Sequence, residues 1–86
     1  MTRVEIYTKM FCGFCYSAKR LLDAKGVAYE EFDVTMGGPK RAEMIQRANG
    51  RTSVPQIFIG DTHVGGSDDL HALEEDGRLD PLLAGA

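Results

Sequence analysis

Within its first 34 residues the chain passes from strand to helix to strand, with one short loop before the helix. Arg3-Val4-Glu5-Ile6-Tyr7-Thr8 alternates polar and apolar side chains, the period of a half-buried strand. A helix is predicted from about Gly13 to Lys25. Cys15, Ala18 and Leu22 repeat along one face, Leu21 widens that stripe, and Lys19, Arg20 and Asp23 fall opposite. Gly26 suits the left-handed position just past a helix end, and Lys25 suits its negative pole. Val27 to Val34 reads as a second strand, and its Glu30, Glu31 and Asp33 mark it as a sheet edge. A unit this short closes as a right-handed βαβ crossover, so the two strands are expected to be parallel.

The remainder supplies a second helix, a hairpin and a third helix. Gly37-Gly38 is a loop, Pro39 fits a first helical turn, and Met44, Ile45 and Ala48 form an apolar stripe closed by Asn49-Gly50. Pro55-Gln56-Ile57-Phe58-Ile59 is a strand with an apolar core. Gly60-Asp61 is a two-residue hairpin turn, Thr62-His63-Val64 returns antiparallel, and Gly65-Gly66 breaks it. Ser67-Asp68-Asp69 opens the third helix with acids in its first turn, Leu70 and Leu73 face inward, and Gly77 ends it. Leu79, Leu82 and Leu83 pack a short tail. The order β-α-β-α-β-β-α predicts an α/β chain of thioredoxin-like architecture, one domain over 1–86, with a four-stranded mixed sheet and helices on both faces.

Composition narrows the function. An 86-residue chain supports one hydrophobic core. Ten basic against 13 acidic residues give a net charge of −3, which disfavours nucleic-acid binding. Residues 1–25 carry +3 and residues 61–86 carry −6, so the N-terminal segment is the positive one. No apolar run approaches the roughly 20 residues of a membrane helix, and Met1 to Ile6 lacks a signal-peptide stretch. Both cysteines, Cys12 and Cys15, lie in the positive segment. A secreted disulfide scaffold of this size usually has more. The expectation is a cytoplasmic protein, independent of membranes, whose thiols are used chemically.

The spacing of the two cysteines has a physical reason. Residues three apart on a helix share a face, about 5–6 Å apart, within the separation a disulfide tolerates. Cys12 precedes the helix, where unpaired N–H groups and the positive dipole end favour an anion, so its pKa is expected to fall. Lys9 adds positive charge nearby. Cys15 lies in the first turn and starts the apolar stripe. Cys12 is therefore read as nucleophile and Cys15 as the resolving, more buried thiol. A zinc site needs four ligands. Only His63 and His71 remain, eight residues apart, so no metal site within one chain is expected, and both histidines are read as surface residues without a role.

Taken together these stretches resemble the glutaredoxins, in their small bacterial dithiol class. The resemblance runs through Val4-Glu5-Ile6-Tyr7-Thr8-Lys9, Cys12-Gly13-Phe14-Cys15 and Arg51-Thr52-Ser53-Val54-Pro55-Gln56-Ile57-Phe58-Ile59. It continues through Gly65-Gly66-Ser67-Asp68-Asp69-Leu70 and Leu79-Asp80-Pro81-Leu82-Leu83. It implies a glutathione site. Pro55 would be cis, leaving the Val54 backbone to pair with the cysteinyl unit of glutathione as a short added strand. Ser67, Asp68 and Asp69 would hold the γ-glutamyl end, its carboxylate on helix-start N–H groups and its ammonium on Asp69. Lys9, with Arg41 and Gln56 as further candidates, would take the glycyl carboxylate. Phe14 would line the groove beside the sulfur.

The resemblance also has departures. Gly13-Phe14 stands where the dithiol class usually has Pro-Tyr, and is typical of the monothiol class. Ser53 stands where threonine is commoner, and Ser67 where some relatives carry a third cysteine. The activity implied is reduction of protein–glutathione mixed disulfides and protein disulfides, with glutathione as co-substrate and a monomeric protein. A rival reading follows from glycine at position 13, which leaves the space beside Cys12 open. Two chains would then share a [2Fe–2S] cluster, each giving the Cys12 thiolate, with two glutathiones completing four sulfurs. A third reading is a redoxin reduced by thioredoxin reductase, against which the glutathione-holding Lys9 and Asp69 argue.

Overall fold

A computed structural model describes residues 2–85. Its elements are β1 (Val4–Thr8), α1 (Gly13–Ala24), β2 (Glu30–Asp33), α2 (Pro39–Arg47), β3 (Gln56–Ile59), β4 (Thr62–Gly65), α3 (Ser67–Glu75) and α4 (Leu79–Ala84). The strands lie in the order β2-β1-β3-β4. β1 runs parallel to β2 and antiparallel to β3, and β4 closes the hairpin. This mixed sheet with helices on both faces is the thioredoxin-like fold, and the acidic β2 is indeed an edge.

Strand alternation divides the interior into two cores. Val4, Ile6, Ile57 and Ile59 point to one face, where Ala18 and Leu22 of α1, Leu70 of α3, and Leu79 and Leu83 of α4 cover them. Tyr7 and Phe58 point to the other, against Met44 of α2, Ala48 at its C-cap, and Val34. Each fully buried aliphatic side chain contributes about 1.5–3 kcal/mol. The α2 face also holds a polar network. Arg47 pairs with Glu5 at 3.0 Å, donates to the Tyr7 hydroxyl at 2.8 Å, and lies 4.0 Å from the Phe58 ring centre. Tyr7 donates in turn to Glu43.

Several expectations change in detail. β2 starts at Glu30, because Val27 and Tyr29 pack against the first core before ladder pairing begins. Gly65 extends β4 instead of breaking it, opposite Ile57 and beside a register shift. Ser67 is the first residue of α3 as expected, with Gly66 as its N-cap. The C-terminal tail is a fourth helix, with Pro81 in its first turn, where a missing N–H costs nothing, and Gly85 in the left-handed conformation at its end.

Candidate functional site

The end of β1 delivers Lys9, Met10 and Phe11 as a loop to the start of α1. The Met10 N–H donates to Thr35 Oγ1 at 2.8 Å and pins this loop to the chain after β2. Phe11 adopts φ 56°, a left-handed conformation uncommon for a bulky residue. Cys12 follows as the N-cap of α1, in extended conformation. Its Sγ accepts the Cys15 N–H at 3.1 Å, and its thiol faces the Val54 carbonyl at 3.9 Å. One otherwise unpaired amide at the positive end of α1 is thus spent on this sulfur.

The two thiols are placed differently. Cys12 is half-buried and Cys15 is 2% exposed. Burial pushes the Cys15 thiol up to about 12, with the neighbouring Cys12 sulfur adding to it, while the Lys9 amide and the Lys19 charge act against it. An accessible sulfur stands in front of a sheltered, protonated one. Such a pair can attack with the first sulfur and close a disulfide with the second.

One hollow holds Cys12, and a second begins at the Val54 edge that its thiol faces. The first, of about 510 Å³, contains Cys12 itself with Lys9, Met10, Phe11 and Tyr16. The other, of about 440 Å³, is lined by Phe14, Ser53, Val54, Pro55, Ser67 and Asp68, together with Arg51. The Val54–Pro55 peptide bond is cis. Seven of the candidate ligand residues therefore line the two hollows, Lys9 in the one that holds Cys12 and six in the other. Asp69 is not among the residues lining this second hollow, but it holds two that are. Its carboxylate accepts the Gly66 N–H at 2.9 Å and lies 3.6 Å from Arg51. Arg41, in the first turn of α2, lines neither hollow.

Gln56 requires a correction. It is fully buried, so it has no face for a ligand. Its Nε2 donates to the Ser53 carbonyl at 2.9 Å and to Ser53 Oγ at 3.3 Å. Its Oε1 accepts from His63 Nε2 at 2.7 Å. Gln56 supports the Ser53–Val54 edge from beneath.

The histidines, read as surface residues without a role, are half-buried and each hydrogen-bonded. His63 ends that support chain and stacks on Phe58, ring centres 4.9 Å apart. Burial holds it below its ordinary pKa, helped by the Arg51 charge. His71 donates from Nδ1 to the Ser67 carbonyl at 2.7 Å, within the first turn of α3. A signal for His63 is present in the sequence. A two-residue turn at Gly60-Asp61 sets Ile59 opposite Thr62 and Phe58 opposite His63, a cross-strand aromatic pair. Arg51 has a weaker signal, as a cation four residues before Pro55 in a chain whose third helix opens with acids.

The turn into α3 depends on two glycines. Gly65 has φ +112°, and a Cβ there would lie 2.3 Å from Asp69 Oδ2 and 2.9 Å from Arg51 Nη1. A Cβ on Gly66 would lie 3.1 Å from Asp68 Oδ1. Side chains at either place would push into the carboxylates that open the helix.

Known proteins share this arrangement. The family model for glutaredoxin matches residues 4–64. Glutaredoxin 3 of Escherichia coli (strain K12) is 55% identical over 83 residues, covering 96% of this chain and 99% of the relative. The solution structure of glutaredoxin from Brucella melitensis superposes with a TM-score of 0.83 at 52% identity, over 96% of this chain and 89% of that one. The crystal structure of a buckwheat glutaredoxin–glutathione complex superposes with a TM-score of 0.86 at 30% identity, over 98% and 78%.

Proposed function

The chain belongs to the glutaredoxin family of thiol–disulfide oxidoreductases, and from that premise we propose that it reduces protein–glutathione mixed disulfides and protein disulfides with glutathione as electron donor. The observation that carries this reading is Cys12 at the mouth of α1, with Cys15 buried three residues on and the Val54–Pro55 edge alongside.

The Cys12 thiolate attacks the glutathione sulfur of a mixed disulfide. The old S–S bond breaks, the substrate leaves as a thiolate that takes a proton from water, and Cys12 carries glutathione. A second glutathione thiolate then attacks, releasing oxidised glutathione and the Cys12 thiolate. In the dithiol route Cys15, after losing its proton, attacks Cys12 instead. The Cys12–Cys15 disulfide forms and glutathione leaves. Two further glutathiones reduce that disulfide.

Glutathione lies along the 440 Å³ hollow. Its cysteinyl unit pairs with the Val54 backbone, with Ser53, Pro55 and Phe14 around it. Its γ-glutamyl carboxylate takes the N–H groups of Ser67 and Asp68, which open α3. Its ammonium goes to the Asp69 carboxylate, which also holds the turn through Gly66 and Arg51, with Asp68 lining the hollow beside it. Lys9 takes the glycyl carboxylate, with Arg41 as second candidate. The chain works as one domain over 1–86, as a monomer in the cytoplasm, on glutathionylated and disulfide-containing proteins, without nucleic acid or membrane partners. Among the described residues no helix is long and apolar enough to cross a membrane.

Separate substitutions test the division of labour. Cys12→Ser abolishes both routes, whereas Cys15→Ser retains deglutathionylation and loses reduction of protein disulfides. Equal loss in both variants refutes it. Turnover with thioredoxin reductase, and none with glutathione and glutathione reductase, refutes the donor.

One observation favours a second role. A Cβ added at Gly13 meets nothing within 4 Å, so the space beside Cys12 is open. The Cys12 thiolates of two copies and two glutathione sulfurs would then hold a [2Fe–2S] cluster. Anaerobic purification with glutathione gives a coloured dimer on this reading. A colourless monomer removes it.

A further inference from the structure

Large apolar side chains are concentrated on the surface around one sulfur. Among the described residues the exposed ones are Met10, Phe11, Phe14, Tyr16 and Met36. Met10, Phe11 and Tyr16 line the same hollow as Cys12. The Met10–Thr35 hydrogen bond brings the Met36 loop alongside them. Phe14 stands apart, on the wall of the other hollow. Phe11 is 100% exposed and Met36 94% exposed. Phe11 is in addition held at φ 56°, where a bulky residue is strained. An aromatic ring held wholly in water, on strained backbone beside a nucleophile, gains nothing within its own fold.

The chemistry of the site identifies what covers it. The two halves of a disulfide diverge from the S–S bond with a dihedral near ±90°. On the function proposed above, on which this inference rests, the glutathione half fills the Val54–Pro55 and Ser67–Asp68 side and reaches across to Lys9 only with its glycyl carboxylate. The other half cannot share that hollow, and the wall left beside Cys12 exposes Met10, Phe11 and Tyr16, rimmed by the charged Lys9, Lys19, Glu31 and Asp33. We propose that this wall is a docking surface for the polypeptide half of the mixed disulfide, and that it selects segments with a large apolar side chain next to the oxidised cysteine. Phe11 is the main specificity-determining residue. When Cys12 attacks the glutathione sulfur, the segment leaves as its free thiol, and the apolar contact is given up with it.

Two synthetic peptides test this, each with one S-glutathionylated cysteine, flanked by leucines in one and by serines in the other. Turnover is followed with glutathione and glutathione reductase, beside a small glutathione mixed disulfide as third substrate. The wild-type protein is expected to favour the leucine peptide by about tenfold in kcat/KM, the scale of one buried apolar side chain. Phe11→Asn keeps a residue that tolerates the left-handed backbone and removes the ring. It is expected to bring the ratio between the peptides close to one. Equal kcat/KM for both peptides in the wild type, or an undiminished preference in Phe11→Asn, overturns the inference. Turnover of the small substrate with neither peptide accepted also overturns it. No turnover of any of the three overturns the underlying reading instead.

Discussion

His63 donates to Gln56, and Gln56 holds the Ser53 carbonyl one residue before the Val54 edge. His63→Ala is therefore expected to raise KM for glutathione roughly three- to tenfold, the worth of one hydrogen bond, while kcat falls less. Steady-state kinetics check this, and an unchanged KM would remove His63 from the support chain. Asn and Gln preserve a donor, so His63→Gln should recover part of the loss. The candidate residues differ in how far the sequence reveals them. Cys12 and Cys15 are legible because their placement is local, a helix start and an i, i+3 pair, whereas Val54 and Pro55 are named as ligand residues only through the glutaredoxin resemblance. The fate of Gln56 is not legible, since its amide is consumed by a partner on the neighbouring strand and by a turn three residues back. The further partners of Asp69 are hidden for a similar reason, because the Gly66 amide and Arg51 reach its carboxylate only once the turn has folded.

Among the elements, α4 is the least visible in advance. Six residues are too few to form a helix on their own, and Pro81 and the brevity of the stretch hide its period. It exists because Leu79 and Leu83 insert into the core beneath β1 and β3. Leu79 is fully buried, so Leu79→Ala is expected to destabilise the protein by about 2–5 kcal/mol. Chemical denaturation measures this, and a loss well under 1 kcal/mol would show α4 to be peripheral. Conversely, Val27 and Tyr29 read as strand because they alternate with Ala28. They are apolar for packing alone, and pairing with β1 begins only opposite Glu5. The order of strands and helices, in contrast, follows from hydrophobic period and turn chemistry along the chain.

For the molecule as a whole, the carboxylates set the response to acid. The Tyr7 hydroxyl and Lys40 hold the Glu43 carboxyl below its ordinary value, and Thr35 does the same for Asp33. In both, the folded state favours the ionised form. Their contribution is complete above the ordinary carboxylate range and is lost as pH falls through the lowered values. The denaturation midpoint is accordingly expected to hold from neutral pH down to about 5 and then decline, with Glu43→Gln making the decline shallower. A midpoint indifferent to acid would contradict the sign. The sheltering of Cys15 has a consequence of another kind. Peroxide arriving from solvent reaches one sulfur only, and a sulfenic acid formed there sits against a second thiol within the same helical turn. Condensation expels water and leaves an ordinary disulfide, so the molecule carries its own safeguard against irreversible damage at the one atom it has to leave uncovered.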